Sequence, residues 1–377
     1  MKILLVGEYN RTHYNLKKGL NELGHEALVI GTRDGFKKVD VDIEINNPFN
    51  SFLLKKTRVF FYKFFKTDLL YHYTKHKIKS KKHLLSNYDI VQYINESPFL
   101  IDRKGELAIF KLLNSWNKKT FLLSTGTDYI SVSYAYDKKF RYSILTPYFE
   151  GKISDKDFRP TLNYLSQSHK PLHEYIISKI SGIISKDLDY HIPLLGHPKY
   201  LGMIPHAIDI DSLQYKKPII EDKIIIFHGI NMNNYYKKGN DLFEAALEII
   251  SRKHKDKVDI IVVKNLPYKA YIESFDKAHI LLDQVYAYDQ GFNALEAMAK
   301  GKVVFTGAEQ EWLDYYDVKE DSIAINALPD PKHIASKLEW LIDNPELIVE
   351  IAKNARQFVE EHHNYIHCAK AYIEKWS

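Results

Sequence analysis

The stretch YDQGFNALEAMAKGKVVFTG, residues 288–307, sets one carboxylate, Glu296, into a helical run of Ala, Leu and Met. Burying a carboxylate costs several kcal/mol or more unless hydrogen-bond donors meet it. A ribose diol brings two hydroxyl donors to two carboxylate oxygens. A solvent-facing Glu, or one held by a neighbouring Lys, is the plainer alternative. Gly291 stands at a strand-to-helix turn. The first N–H groups of the helix that follows have no partner inside it and can receive a phosphate or another anion.

The elements that must position these residues can be read from the apolar runs. KILLV (2–6) leads through Gly7 into a helical pattern over Leu16, Leu20 and Leu23, and then into GHEALVI. That is a βαβ opening with a glycine turn. Short apolar runs recur at 88–94, 120–124, 181–185 and 199–205, with room between them for crossover connections. After the Pro- and charge-rich linker around Pro205 and Pro218, the pattern restarts with KIIIFHG (223–229). Helices over about 238–253, 268–277 and 291–300 alternate there with VDIIVV, HILLDQ and KVVFTG. The expectation is an α/β protein of two Rossmann-like domains with parallel sheets facing a cleft. Residues 1–212 form the first and 220–361 the second, and a helix over about 362–377 packs back on the first. The helical stretch 345–376 should break near EHHNY.

Composition agrees. The chain has 377 residues, is 45% hydrophobic and 27% charged, and carries a net charge of +5. Such a length calls for two cores rather than one. The single cysteine, Cys368, excludes an intrachain disulfide and a multi-cysteine metal site. No run is long enough to span a membrane, and the short N-terminal apolar run, followed at once by Glu8 and Arg11, does not read as a signal peptide. A cytoplasmic location is expected.

The motif GFNALEAMAKG resembles the Gly–aromatic–x–x–x–Glu–Ala–Met–Ala–x–Gly signature of retaining glycosyltransferases of GT-B architecture, family 4 (group 1). The resemblance implies that Glu296 holds the donor ribose and that Gly291, Phe292 and Asn293 lie near the donor phosphates. It assigns diphosphate neutralisation to Lys238, before Gly239, with Lys237 as rival. A fixed cation there lowers the barrier as charge builds on the leaving group. Asp283, followed by Gln284, resembles an Asp–Gln pair at a strand end, where ligands meet parallel sheets; a structural cap is the competing role. His228, at another strand end, either faces the cleft or is structural. Two departures stand out. The family's earlier glutamate is replaced by Tyr288, with Asp289 beside it, and its arginine near the preceding glycine is absent from Gly229-Ile230-Asn231-Met232.

In the first domain the resemblance brings Gly7 and the loop after it toward donor and acceptor. It makes Asp128, in STGTDY, the candidate for orienting the acceptor or supporting the transition state, against a local turn role. Asp209 reads as a hinge residue. The resemblance implies a nucleotide-diphosphate sugar as donor substrate, a glycan or lipid-linked acceptor in surface polysaccharide synthesis, no other cofactor and no metal. A nucleotide-sugar 2-epimerase and a catalytically impaired sugar-nucleotide-binding protein are the alternatives. A Rossmann dehydrogenase is disfavoured because neither opening turn gives G-x-G-x-x-G.

Residues 51–83 contain ten Lys or Arg and one acid, Asp68, interleaved with Phe60, Phe61, Phe64 and Phe65. Phe60, Phe64 and Tyr71 can share one helical stripe. This pattern suits an anionic membrane surface or a pyrophosphate-linked lipid acceptor. Core packing with a solvated face is the alternative. Nucleic acid is disfavoured because no recognised binding module accompanies the segment.

Overall fold

The computed structural model describes residues 1–32 and 39–377. Seven strands, β1 (Lys2–Val6), β2 (Glu26–Gly31), β3 (Ile43–Glu44), β4 (Ile90–Tyr93), β5 (Lys119–Ser124), β6 (Gly182–Ser185) and β7 (Tyr200–Met203), form one sheet. Its order is β3-β2-β1-β4-β5-β6-β7, and all pairs are parallel. Five more, β8 (Ile224–Ile230), β9 (Val258–Lys264), β10 (Ile280–Leu282), β11 (Val303–Thr306) and β12 (Ile325–Asn326), form a second parallel sheet of order β12-β11-β10-β8-β9. Helices cover both faces of such a sheet, so its central strands are apolar throughout. Ile3, Leu4, Leu5 and Val6 are all fully buried. Each sheet therefore has its own core, and the site residues collect where carboxyl ends of strands approach the other lobe.

The chain crosses between lobes twice, and the crossings touch. Ile208 N–H donates to His363 O (2.7 Å), and Tyr365 N–H donates to Ile208 O (3.1 Å). Here the long C-terminal helical stretch divides into Pro345–His362 and Tyr365–Trp376. The second of these packs on the Thr12–Glu22 helix through Tyr365, Ala369, Leu16 and Leu20. Asp209 pairs with Lys18 Nζ at 2.7 Å, tying the crossing to the first lobe.

Between β5 and β6 a helical excursion reaches from the first lobe onto the second. Arg141 pairs with Glu309 (2.7 Å) and Glu311 (2.6 Å), Tyr142 bonds Glu309, and Lys152 pairs with Asp241 (3.0 Å).

The basic segment corrects one expectation. It forms two helices, Phe52–Phe65 and Leu69–Ser80, so Tyr71 does not continue the Phe60–Phe64 stripe. The chain turns at Lys66 in the left-handed region, and Asp68 caps the second helix by accepting Leu70 N–H. The Phe52–Phe65 helix buries none of its residues; Phe52, Leu53, Val59, Phe64 and Phe65 are each more than 60% exposed. No described helix is long and apolar enough to cross a membrane.

Asp68 anchors this exposed helix. It accepts two bonds from Arg58, both 2.8 Å, plus the N–H groups of Leu70 (3.0 Å) and Asp102 (3.1 Å). Burial pushes its pKa up, but Arg58 and the backbone donors outweigh this and hold it below the usual carboxylate value. Its contribution to stability is therefore full above the unfolded pKa and fades as pH falls through the lower folded value. Asp68→Ala should cost about 2 kcal/mol and open residues 52–66 to limited proteolysis first. Equal cleavage rates in parent and variant would contradict this anchoring.

Candidate functional site

Lys238 and Gly239 sit in the turn before the Asn240–Lys253 helix. Gly239 has φ +70, and a Cβ there would lie 2.6 Å from Val285 Cβ, so glycine is needed both for conformation and for room. That close approach lets Val285 N–H donate to Lys238 O at 3.0 Å, fixing the lysine just past the end of β10. Lys238 Nζ lies 2.9 Å from Asp283 Oδ1, which also accepts Asn293 Nδ2–H at 3.1 Å. Asp283 is 4% exposed and its Oδ2 has no hydrogen-bond partner. The cluster thus combines a half-exposed cation, a buried carboxylate with a spare acceptor, and the start of the Phe292–Ala299 helix at Gly291.

Two connected spaces lie between the lobes. A pocket of about 610 Å³ is lined by Glu8, Tyr9 and Asn10 of the first lobe and by Asn234, Lys238 and Gln284 of the second. An inner pocket of about 280 Å³ shares Tyr9, Gln284 and Tyr286 with it and reaches Gly291, Phe292, Asp187 and Asp189. Lys238, Gly291 and Phe292 are therefore on cleft walls. Asn293 and Asp283 stand directly behind, joined to Lys238. Gly7, φ +91, brings β1 to the cleft loop; a Cβ there would meet Ile94 Cγ2 at 2.3 Å. Glu296, 8% exposed, lies one turn beyond Phe292 and is itself engaged by the protein.

Four expected site residues make their contacts within the protein. His228 is fully buried against Phe243, with Nδ1 3.4 Å from Leu282 O. Burial pushes its pKa down to about 4, so it is neutral at physiological pH, and it lies behind Lys238 and Asp283 with its Nε2 unpartnered. Asp128 caps the Tyr129–Tyr136 helix, accepting Ser131 N–H at 2.7 Å and bonding Ser124 Oγ through its other oxygen. Its neighbours Thr125, Gly126 and Thr127 line the pocket instead. Tyr288 is held in the interlobe seam: its hydroxyl accepts Arg141 N–H at 3.0 Å, and its ring packs among Phe140, Tyr142 and the Arg141 guanidinium. Asp289 accepts Leu188 N–H at 2.9 Å across the same seam. Each carboxylate or hydroxyl is used where a backbone donor would otherwise be left unpaired.

Sequence reasoning overlooked two clusters. Asp187 and Asp189, just past β6, meet Asp289 with oxygens within 4.8 Å of one another, a group that could hold a metal ion. In this structure they seal the seam: Tyr288 N–H donates to Asp189 (3.2 Å), and His206 lies 3.4 Å from Asp187. Burial raises all three pKa values, with Asp187 at about 6 and Asp189 at about 8. Buried Lys186, Glu8, Tyr190 and Tyr316 complete the surroundings. The i, i+2 acid pair in SKDLDYH was a readable signal. The second cluster is Glu96, which bonds His169 (2.6 Å), His173 and Tyr129 N–H (3.3 Å). Burial alone would raise its pKa, yet the imidazoles hold it at about 2. It braces the pocket loop 125–129 from behind.

Residues 238–374 match the sequence model of a family described as glycosyl transferase-like, over less than half of the chain. No curated protein matches the chain in sequence. Among solved structures, the chain is similar to sucrose-phosphate synthase of Thermosynechococcus elongatus, at 13% identity and a TM-score of 0.61, covering 99% of this chain and 98% of that one. It is also similar to HepE of Anabaena in complex with UDP-glucose, at 12% identity and a TM-score of 0.57, covering 99% and 98%. A glycosyltransferase from Rickettsia africae gives 15% identity and 0.55, covering 100% and 97%. The fold is that of the GT-B glycosyltransferases. At these identities the similarity establishes architecture, and the chemistry has to be argued from the site.

The seam carboxyls give a direct test. Because their pKa values are raised, the folded state binds more protons than the unfolded chain, and stability falls as pH rises from about 4, the ordinary carboxylate range, through the raised range in which the three carboxyls lose their protons. Asp289→Asn keeps an acceptor for Leu188 N–H without the charge. It should match the parent near pH 4 and resist urea better than the parent at pH 8.5. Parallel urea midpoints across that range would refute the protonation of the seam carboxyls.

Proposed function

We propose that the protein is a retaining glycosyltransferase of the hexosyl type that moves a sugar from a nucleoside-diphosphate donor to a glycan or lipid-linked glycan. The observation that carries this reading is the Lys238–Asp283–Asn293 cluster beside the Gly291 helix start, on the wall of an interlobe cleft. Lys238 has three N–H donors, so it can keep Asp283 and still donate to a diphosphate oxygen. The helix start adds unpaired N–H groups and positive dipole. Together they favour departure of the nucleoside diphosphate, with the positive charge supplied by the protein rather than by a metal.

The unpartnered Asp283 Oδ2 is an acceptor for a donor hydroxyl, whose arrival would relieve the cost of leaving it unsatisfied. Glu296 is assigned to the ribose on its place one turn into the same helix. The acceptor hydroxyl attacks the anomeric carbon from the leaving-group face and passes its proton to a departing phosphate oxygen. UDP-sugar binding by HepE of Anabaena, stated by its complex, favours a uridine nucleotide as the first donor to try.

One observation favours a second reading. Asp187 and Asp189 both line the inner pocket, and paired carboxyls near a sugar are what a nucleotide-sugar 2-epimerase requires. An impaired binding protein would bind donor without turnover. The exposed Phe52–Phe65 helix, with Lys55, Lys56, Lys63 and Lys66 and no acid of its own, supports peripheral contact with an anionic membrane at the cytoplasmic face.

The test is a panel of nucleotide sugars, scored for binding, nucleotide release and sugar product, with Lys238→Ala and Glu296→Ala alongside. Either variant should lower kcat/KM at least tenfold while keeping a single cooperative thermal transition, and Lys238→Ala should also melt lower because it leaves buried Asp283 without its cation. Turnover within twofold of the parent would sink the assignment. Release of an epimerised nucleotide sugar without transfer would select the epimerase.

A further inference from the structure

A groove of about 640 Å³ opens beside the interlobe pocket and shares Leu100, Thr127, Thr161, Tyr164 and Lys237 with it. Its outer end is formed by Tyr62 of the exposed Phe52–Phe65 helix. The groove therefore runs from an apolar, cationic surface to the space that holds Lys238.

Its two cations make no close ion pair among the described residues, although Arg103 stands near enough to the buried Glu106, whose pKa burial raises, to pull that pKa partly back down. Arg103 donates to Ser97 Oγ and lies 5.0 Å over the Tyr164 ring. Lys237 is 3.4 Å from Thr161 Oγ1 and 4.6 Å over the Phe158 ring. Neither forms an ion pair with a carboxylate among the described residues, although both are partly buried. Burial pulls the Lys237 pKa down, which is the sign of an uncompensated cation. The one carboxylate in the groove wall, Asp102, is taken up as a helix cap, accepting Gly105 N–H at 2.9 Å. Thr127, Asn163, Ser166 and Ser168 add hydrogen-bonding groups. An apolar approach, an unpaired Arg and Lys, and hydroxyls between them fit a ligand that joins an apolar chain to an oxyanion.

We propose that this groove is the acceptor subsite and takes an amphiphile bearing a phosphate or pyrophosphate, its anion held by Arg103 and Lys237, its apolar chain passing Tyr62 and exposed Leu100, and its polar end entering the cleft. This rests on the glycosyl-transfer reading and gives its acceptor a chemical class. The anchoring of the Phe52–Phe65 helix through Asp68 to Asp102, the residue before Arg103, joins the surface helix mechanically to the anion clamp.

The experiment titrates the full chain with farnesyl diphosphate, farnesol and inorganic pyrophosphate. Parent, Arg103→Gln, Lys237→Gln, Leu100→Ser and Lys238→Gln are compared by calorimetry. Farnesyl diphosphate should bind at least tenfold more tightly than either farnesol or pyrophosphate. Arg103→Gln and Lys237→Gln should each weaken it at least fivefold, while Arg103→Gln leaves UDP affinity within twofold of the parent. Leu100→Ser, an exposed and fold-neutral change, should weaken farnesyl diphosphate but not pyrophosphate. Equal affinity for pyrophosphate would mean a free-anion site and overturn the proposal, as would equal affinity for farnesol. Binding that depends on Lys238 but not on Arg103 would overturn it too, by placing the probe in the donor site. If the parent fails to bind UDP yet shows this pattern with farnesyl diphosphate, the donor reading fails and the amphiphile site stands.

Discussion

The buried carboxylate of Asp283 organises the cleft. It sits at the end of β10, where a parallel sheet leaves room for a ligand, and it holds Lys238 from one direction and Asn293 from another. Such a charge is tolerated only because a cation and an amide meet it. The pair is in turn possible only because Gly239 lets the preceding loop lie against Val285. Replace any of these and the lysine has no fixed address, so strand, glycine turn, ion pair and helix start form one device.

The two lobes are held at this device by an apolar cluster that joins Leu188 and Met203 to Tyr288 and Phe292, and by polar contacts beside it. Arg141 bridges Glu309 and Glu311, Tyr288 ties to the Arg141 backbone, and Asp187, Asp189 and Asp289 share a desolvated corner. The paired crossings at Ile208 and His363 keep the hinge in register.

Much of this was legible in the sequence, and the misses have physical causes. Apolar runs announced ten strands, because strands buried on both faces carry no alternation to obscure them. The two-residue edge strands β3 and β12 were too short to leave a pattern. The Lys238–Gly239 and Gly291–Glu296 spacings were readable because local turns fix them. Asp128, His228, Tyr288 and Asp289 were harder: a polar residue at a strand end looks the same in sequence whether it serves a ligand or an unpaired backbone group. Which it does depends on partners far along the chain, such as Arg141 for Tyr288 and Leu188 for Asp289. The basic–aromatic segment was read correctly as unusual, but its break at Lys66–Asp68 turned on a left-handed residue that composition does not reveal.

The most direct measurement is a crystal structure of the protein soaked with UDP. The account predicts the diphosphate within hydrogen-bonding distance of Lys238 Nζ and the N–H groups after Gly291, with the ribose toward Glu296. A nucleotide bound outside the interlobe cleft, with Lys238 still paired to Asp283 and touching no phosphate, would contradict it.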